Sequence, residues 1–294
     1  MHIRPRRSAL YMPGSNARAL EKAKTLAADV IIVDLEDSIA PEKKAEARTQ
    51  AVAALNSGGY GRRELVMRIN GPGTPWFEDD IAAAIKATPD AILVPKIETP
   101  LDLEGIAERL HTLGAAERTR VWIMMETPLA VLNALAITEC AARIPTCRLS
   151  CMVLGTNDIQ KETRALTTPD RMPLLFALQA SVLAARAYGL DILDGVYNAF
   201  RDVDGFRREC VQGRTFGMDG KTVIHPDQIA VANEVFGPPA EEVAWARKII
   251  ATFEIPENKA KGAVSLDGQM VELLHVEIAR RTIAIAEAIA QAGA

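Results

Sequence analysis

The chain has no surplus of charge of either sign. Its 34 Lys and Arg against 38 Asp and Glu leave a net charge of -4, and no acidic or basic tail stands out. Nucleic acid is therefore not an expected partner. No apolar run approaches the roughly 18 residues that a membrane helix needs, so no membrane partner is expected either. The opening segment, MHIRPRRSALYMPG, is basic and then briefly apolar. It lacks the continuous apolar stretch of an export signal, and the expected location is cytoplasmic. Cysteine is scarce: Cys140, Cys147, Cys151 and Cys210, with no CxxC pair. They read as structural thiols in a reducing compartment, and a zinc site is not expected. Four histidines include no HExxH, which disfavours zinc hydrolysis. Ser8, Ser15, Ser38 and Ser150 lack the GxSxG elbow of a serine hydrolase. No GxxxxGK[ST] and no GxGxxG after an apolar run appear, so P-loop and dinucleotide chemistry gain no support.

What is present is alternation. Short apolar runs at Ser8–Tyr11, Val30–Val33, Leu65–Ile69, Ala91–Val94, Val121–Met125 and Met152–Leu154 are followed by weaker ones near Ile192–Gly195 and Thr222–Ile224. Several are apolar throughout, as parallel strands covered on both faces are. Between them lie amphipathic stretches at Ala17–Ala28, Pro41–Leu55, Trp76–Lys86, Pro100–Leu113, Leu129–Arg143 and Pro173–Tyr188. Pro41, Pro100 and Pro173 suit first-turn positions, where a missing N–H costs nothing. About eight strands, nearly all followed by a helix, predict an α/β fold of the (β/α)8 TIM-barrel type, with an open doubly wound sheet as the alternative. A helix over Glu241–Thr252, a Lys-, Gly- and Ala-rich stretch over Pro256–Gly268 and a last helix over Gln269–Gln291 exceed what an eighth barrel helix needs. The expected division is a catalytic barrel over 1–254 and a C-terminal helical arm or lid over 255–294. A helix packed on its own barrel is the alternative.

TIM-barrel active sites lie at the C-terminal ends of the strands. The polar residues there are Asp34, Glu36 and Asp37 after VIIV, Arg68 and Asn70 in VMRIN, Lys96 and Glu98 after ILVP, Glu126 after VWIMM, and Asn157 and Asp158 after MVLGT. Arg7 precedes the first run. Such carboxylates suit a hard cation such as magnesium, which takes one or two carboxylates and leaves room for water and substrate oxygens. Glu126 and Asp158 end adjacent strands, although Asp158 could equally be a turn residue. Arg68 could grip a carboxylate through a bidentate fork, or be a buried partner of Glu36 or Asp37. Lys43, Lys44 and Arg48 follow on a helix and read mostly as solvated, with Arg48 able to pair back to an acid. His225 could be a base or a hydrogen-bonded loop histidine.

Taken together, the segments RRSALYMPGSN (Arg6–Asn16), DVIIVDLEDSIAPEKKAEAR (Asp29–Arg48), RIN (Arg68–Asn70), ILVPKIE (Ile92–Glu98), MMETPLAV (Met124–Val131), LGTND (Leu154–Asp158) and GKTVIHPDQI (Gly220–Ile229) occur in order along nearly the whole chain. In them the chain resembles the citrate lyase β-subunit-like family of CoA-ester lyases, which includes malyl-CoA, methylmalyl-CoA and citramalyl-CoA lyases. The resemblance implies a TIM barrel and a magnesium ion, with manganese as a substitute, on Glu126 and Asp158. It implies a substrate-carboxylate arginine at Arg68, and places Glu36, Asp37, Lys96 and Arg7 around the substrate. It also places Arg7, Pro13, Gly14 and Pro226 near the CoA moiety, which enters as part of the substrate. It further implies a homotrimer or hexamer whose C-terminal arm covers a neighbouring subunit's site and carries a catalytic carboxylate in a DGxMVD-like segment.

Here that segment reads LDGQMVE, Leu266–Glu272. Glu272 stands where the family pattern has Asp, one methylene longer, and Asp267 lies five residues earlier; proton transfer tolerates little misplacement. The stretch after Asp158, IQKETRA, also departs, since many relatives have a second acid and a glycine there. The implied reaction is a retro-Claisen cleavage, or its reverse, that divides a 3-hydroxyacyl-CoA into a 2-oxo acid and acetyl- or propionyl-CoA. Alternatives within enzymes are hydrolysis of the malyl-CoA thioester and the β-subunit role in a citrate lyase acting on an acyl-carrier thioester. The alternative outside enzymes is a non-catalytic scaffold.

Overall fold

The computed structural model describes residues 4–293. Eight parallel strands close into a barrel in chain order: β1 (Ser8–Pro13), β2 (Val30–Asp34), β3 (Glu64–Arg68), β4 (Ala91–Val94), β5 (Arg120–Met125), β6 (Leu149–Leu154), β7 (Asp191–Asp194) and β8 (Gly220–Val223). Closure is direct, because β1 pairs with both β2 and β8. Alternation along the strands sends Ala9, Val30, Ile32, Val66, Ala91, Leu93, Trp122, Met124, Cys151, Val153 and Leu193 into one buried cluster, with Tyr11 packed on it. The barrel interior is thus a filled core, and the site lies above it rather than inside. All four cysteines are free and buried.

The helices between the strands are α1 (Ala17–Ala23), α2 (Lys44–Asn56), α3 (Phe77–Ala87), α4 (Pro100–Thr112), α5 (Pro128–Leu132), α6 (Ala134–Arg143), α7 (Thr156–Thr163), α8 (Leu175–Ala187) and α9 (Val203–Thr215). Local chemistry sets where they begin. Thr99 and Asp102 form a capping box at α4 with Pro100 in the first turn, and Thr127 caps α5 with Pro128 behind it. The single helix expected over Leu129–Arg143 is two, because Asn133 leaves helical geometry and turns its side-chain amide to the Glu98 carbonyl at 2.9 Å. Among the helices between the strands, two escaped the pattern. The α7 sequence, TNDIQKET, has almost no apolar stripe, and α9 carries two glycines.

Arg6–Asn233 form one compact unit; the residues from Glu234 onward, with Arg4 and Pro5, form a second. The boundary falls within α10 (Ile229–Phe236), ahead of α11 (Ala240–Glu254). The reason is packing: Ala246, Ile249 and Phe253 of α11 share a core with Val264, Val271, and with Val276 and Ala279 of α12 (Leu273–Gly293). Between these helices stands a hairpin, β9 (Ala263–Leu266) and β10 (Gln269–Glu272), where a helix was expected from Gln269. Asp267 and Gly268 form its two-residue turn with φ of 49° and 80°. An Asp-Gly pair in that left-handed conformation matches the strand twist and is a strong hairpin signal.

Candidate active site at the barrel mouth

The C-terminal ends of β2 to β6 bring together the side chains expected of a site, in two groups. On the β2–β3 side, Asp34 and Arg68 are register partners across the two strands. Arg68 donates from Nε to Asp34 Oδ1 at 2.7 Å and from Nη2 to Oδ2 at 2.8 Å, a bidentate pair. Its Nη1 reaches Glu36 Oε2 at 2.8 Å and Asp37 Oδ2 at 3.4 Å. Arg68 thus has the buried partner envisaged for it, but the main one is Asp34. Its guanidinium also lies 4.7 Å over the Tyr11 ring. Burial opposes the Arg68 charge, and the Asp34 carboxylate overrides it, so the arginine stays charged. Burial likewise works against the Asp34 charge, and Arg68 overrides it, holding that carboxyl below its ordinary range. Glu36 goes the other way. Burial pushes it up to about 8; Arg68 pulls it down, but the nearby charges of Glu126, Asp37 and Asp34 add to the rise.

The turn after β2 is held from below by a residue expected to be solvated. Lys44 is buried, and its ammonium donates to the carbonyls of Leu35 (2.9 Å) and Glu36 (2.7 Å) and to Asn70 Oδ1 (2.8 Å). Asn70 in turn donates to Asp80, which Arg48 also grips at 2.7 Å. The Arg48 expectation therefore holds. Lys43 instead reaches only the exposed Glu46. The two neighbouring lysines have opposite fates because Lys44 opens α2 with its side chain turned toward the barrel, whereas Lys43 ends the short 3-10 turn before it and faces solvent.

On the β4–β6 side, Glu126 follows β5 and is 1% exposed, while Asp158 sits in the first turn of α7 after β6 rather than in a plain turn. Lys96 lies between them. Its backbone N–H donates to Glu126 Oε1 at 2.9 Å. Its ammonium stands 3.4 Å from the same oxygen and 2.7 Å from Asp158 Oδ1. Lys96 adopts φ of 56°, a left-handed conformation uncommon outside glycine. Burial pushes the Glu126 carboxyl up; Lys96 opposes that and Asp158 reinforces it. Burial alone would lower the Lys96 ammonium, yet its hydrogen bond to Asp158 and the Glu126 charge raise it.

This pair fits a divalent cation. Two carboxylates from adjacent strands already face one positive charge, the Lys96 ammonium. Gly155 makes the room: a Cβ there would lie 2.3 Å from Glu126 Cβ and 2.9 Å from Oε2. Among the described residues no three His, Cys, Asp or Glu side chains form a ready cage, so an ion here would complete its shell with water and substrate oxygens, as magnesium does. Beside Asp158, a cleft of about 360 Å³ opens between α7 and the loop after β7, lined by Thr156, Asn157, Gln160, Arg171, Tyr197 and Asn198 among others.

The other expected residues divide. Pro13 ends β1 and Gly14 follows it, on the mouth side; the Gly14 N–H donates to Asp34 O at 2.8 Å, and a Cβ would meet that oxygen at 2.9 Å. Pro226 opens the turn after β8, also at the mouth, and His225 caps that turn as a hydrogen-bonded loop histidine. Arg7 is a correction. It precedes β1, and its guanidinium is paired with Asp29, ahead of β2, at 2.8 Å. In a parallel barrel those positions lie at the N-terminal face, so Arg7 is not at the mouth. Glu272 and Asp267 belong to the second unit. Asp267 occupies the hairpin turn, paired with Lys248 at 2.9 Å. Glu272 ends β10, where its N–H donates to His275 Nδ1 at 2.9 Å.

Residues 7–226 match the HpcH/HpaI aldolase/citrate lyase family. The chain belongs to that family of oxo-acid lyases and is an enzyme. A curated relative, the (3S)-malyl-CoA thioesterase of Cereibacter sphaeroides strain ATCC 17025, is 48% identical over 99% of this chain and 98% of its own length. The mitochondrial citramalyl-CoA lyase of Homo sapiens is 31% identical over 97% of this chain and 86% of its own. Among solved structures, protein CitE from Mycobacterium tuberculosis, in complex with magnesium, acetoacetate and coenzyme A, superposes with a TM-score of 0.76 at 25% identity, covering 98% of this chain and 100% of that one.

Proposed function

We propose that this enzyme binds a divalent cation, magnesium or in its place manganese, on Glu126 and Asp158 and acts on a 3-hydroxyacyl-CoA of the malyl-CoA type, releasing free CoA by hydrolysis of the thioester. The observation that carries the site is the pair of carboxylates set against one cation beside Arg68. The choice of hydrolysis is supported by the 48% identity, over nearly the whole of both chains, to a malyl-CoA thioesterase. A second reading, cleavage of the carbon–carbon bond to a 2-oxo acid and a short acyl-CoA, is supported by the citramalyl-CoA lyase relative.

The chain's own groups divide the work. With Nε and Nη2 committed to Asp34, Arg68 offers Nη1 to a substrate carboxylate. Glu36 competes for that nitrogen, and its raised titration keeps it largely neutral near pH 7, so it does not repel an incoming carboxylate. Glu126 and Asp158 hold the ion, which would supply Lewis-acid polarisation of a substrate oxygen. In hydrolysis the water oxygen bonds to the thioester carbon, the carbon–sulfur bond breaks, and the water's proton ends on the CoA thiol. Glu272, from the arm of a neighbouring subunit in a trimer or hexamer, is the proposed proton carrier. The four buried free thiols support a cytoplasmic location.

The decisive assay follows free CoA and the 2-oxo acid together, with malyl-CoA and magnesium. Free CoA without glyoxylate is the expected result. Glyoxylate with acetyl-CoA selects the second reading, and neither product sinks both. For the arm, mixing Arg68→Ala with Glu272→Ala subunits should restore part of the activity that each variant lacks. Failure of complementation would refute a shared site.

A further inference from the structure

We infer that Lys96 is a built-in counter-ion that holds the place of the divalent cation, so that metal entry is an exchange of one cation for another rather than the filling of an open site. The inference rests on the assignment of Glu126 and Asp158 as the metal pair.

Three observations point to exchange. First, the Lys96 ammonium bridges the two carboxylates, at 2.7 Å from Asp158 Oδ1 and 3.4 Å from Glu126 Oε1, which is the space an ion binding both would take. Second, Lys96 is tethered independently of its ammonium: the backbone N–H bond to Glu126 Oε1 and the left-handed φ of 56° hold the residue while leaving the stem free to swing. Third, another carboxylate is close by. Glu162, one turn beyond Asp158 on α7, lies 3.9 Å from the ammonium, and at 36% side-chain exposure the lysine has room to leave. A lysine suits this task because its ammonium is a compact charge on a flexible stem, whereas an arginine fork would lock to the carboxylates. Exchange spares the metal-free protein the repulsion between two facing carboxylates. The cost is affinity, because the ion competes with an ammonium already in place.

Binding of manganese to metal-free protein, counted from the free-ion paramagnetic resonance signal, tests this without reference to activity. The Lys96→Met variant should bind manganese at least about tenfold more tightly than the wild type, the order expected from removing one unit charge a few ångströms away. Equal affinities overturn the inference while leaving the metal pair intact. No binding by either protein overturns the metal pair and the inference with it. Loss of charge without displacement would also tighten binding, so a second readout is needed. Acetylation of the wild-type Lys96 amine, followed by mass spectrometry, should rise several-fold when manganese is added. Unchanged labelling means that the ammonium never left, and it overturns exchange even if Lys96→Met binds more tightly.

Discussion

The two sides of the barrel mouth solve the same electrostatic problem differently. On the β2–β3 side a buried carboxylate, Asp34, meets a guanidinium through two parallel hydrogen bonds, and Arg68 is only 9% exposed at its side chain. On the β4–β6 side a buried carboxylate, Glu126, meets an ammonium on a long stem that is 36% exposed. A planar fork matched to a carboxylate is a fixed fixture, whereas an ammonium is a point charge that another cation can replace. Under the proposed function, the difference separates a surface that would orient substrate from one that would accept a metal. It also explains why the turn beneath Asp34 is braced by Lys44 and Asn70, while the backbone at Lys96 is held mainly by one hydrogen bond to Glu126.

The comparison breaks most visibly if the exchangeable side is neutralised. Glu126→Gln and Asp158→Asn should each lower kcat/KM by about a thousandfold and remove manganese binding, since the proposed ion would need both carboxylates. Steady-state kinetics with metal titration would show it, and wild-type activity in metal-free buffer would refute the assignment. The fixed side should respond in stability. Lys44→Met strips the donor from two buried carbonyls and Asn70, and should cost about 2–4 kcal/mol in denaturant unfolding. Lys43→Met, one residue away on an exposed pair, should leave the unfolding midpoint essentially unchanged. Similar losses for both would mean that the bracing is illusory. A further effect, confined to a pH window, concerns Glu36. Its carboxyl rises from 4.5 to about 8 on folding, so the folded state keeps a proton that the unfolded chain releases. Its contribution to stability is complete below pH 4.5, falls as pH rises through that window, and is gone above about 8. Glu36→Gln, which mimics the protonated form, should flatten the unfolding free energy of metal-free protein across that range; an unchanged slope would show that Glu36 does not titrate there.

Much of the site was legible because TIM-barrel strands end at the mouth, so a polar residue directly after an apolar run is placed by topology. Asp34, Arg68, Lys96, Glu126 and Asp158 were found that way. Arg7 was misplaced because it precedes its strand, and a position before a parallel strand lies at the opposite face. Lys44 was missed because nothing in KKAEAR distinguishes a lysine whose helix face turns inward from one that faces water; both read as charged positions. The Asp267–Gly268 hairpin was present in the sequence as an Asp-Gly pair between the short segments AVSL and QMVE, but the helical pattern downstream was extended through it.

By itself the sequence determined an α/β alternation that favours the barrel, through about eight short runs of which several are apolar throughout, and it determined which acids and cations end those runs. Only the tertiary structure decided how they pair. Asp34 and Arg68, thirty-four positions apart in the chain, meet because β2 and β3 align in register. Lys96 stands between Glu126 and Asp158 because β4, β5 and β6 are neighbours in the barrel and the three residues follow their C-terminal ends. Partners of buried charges are chosen by proximity in space, and strand register, not local propensity, sets that proximity.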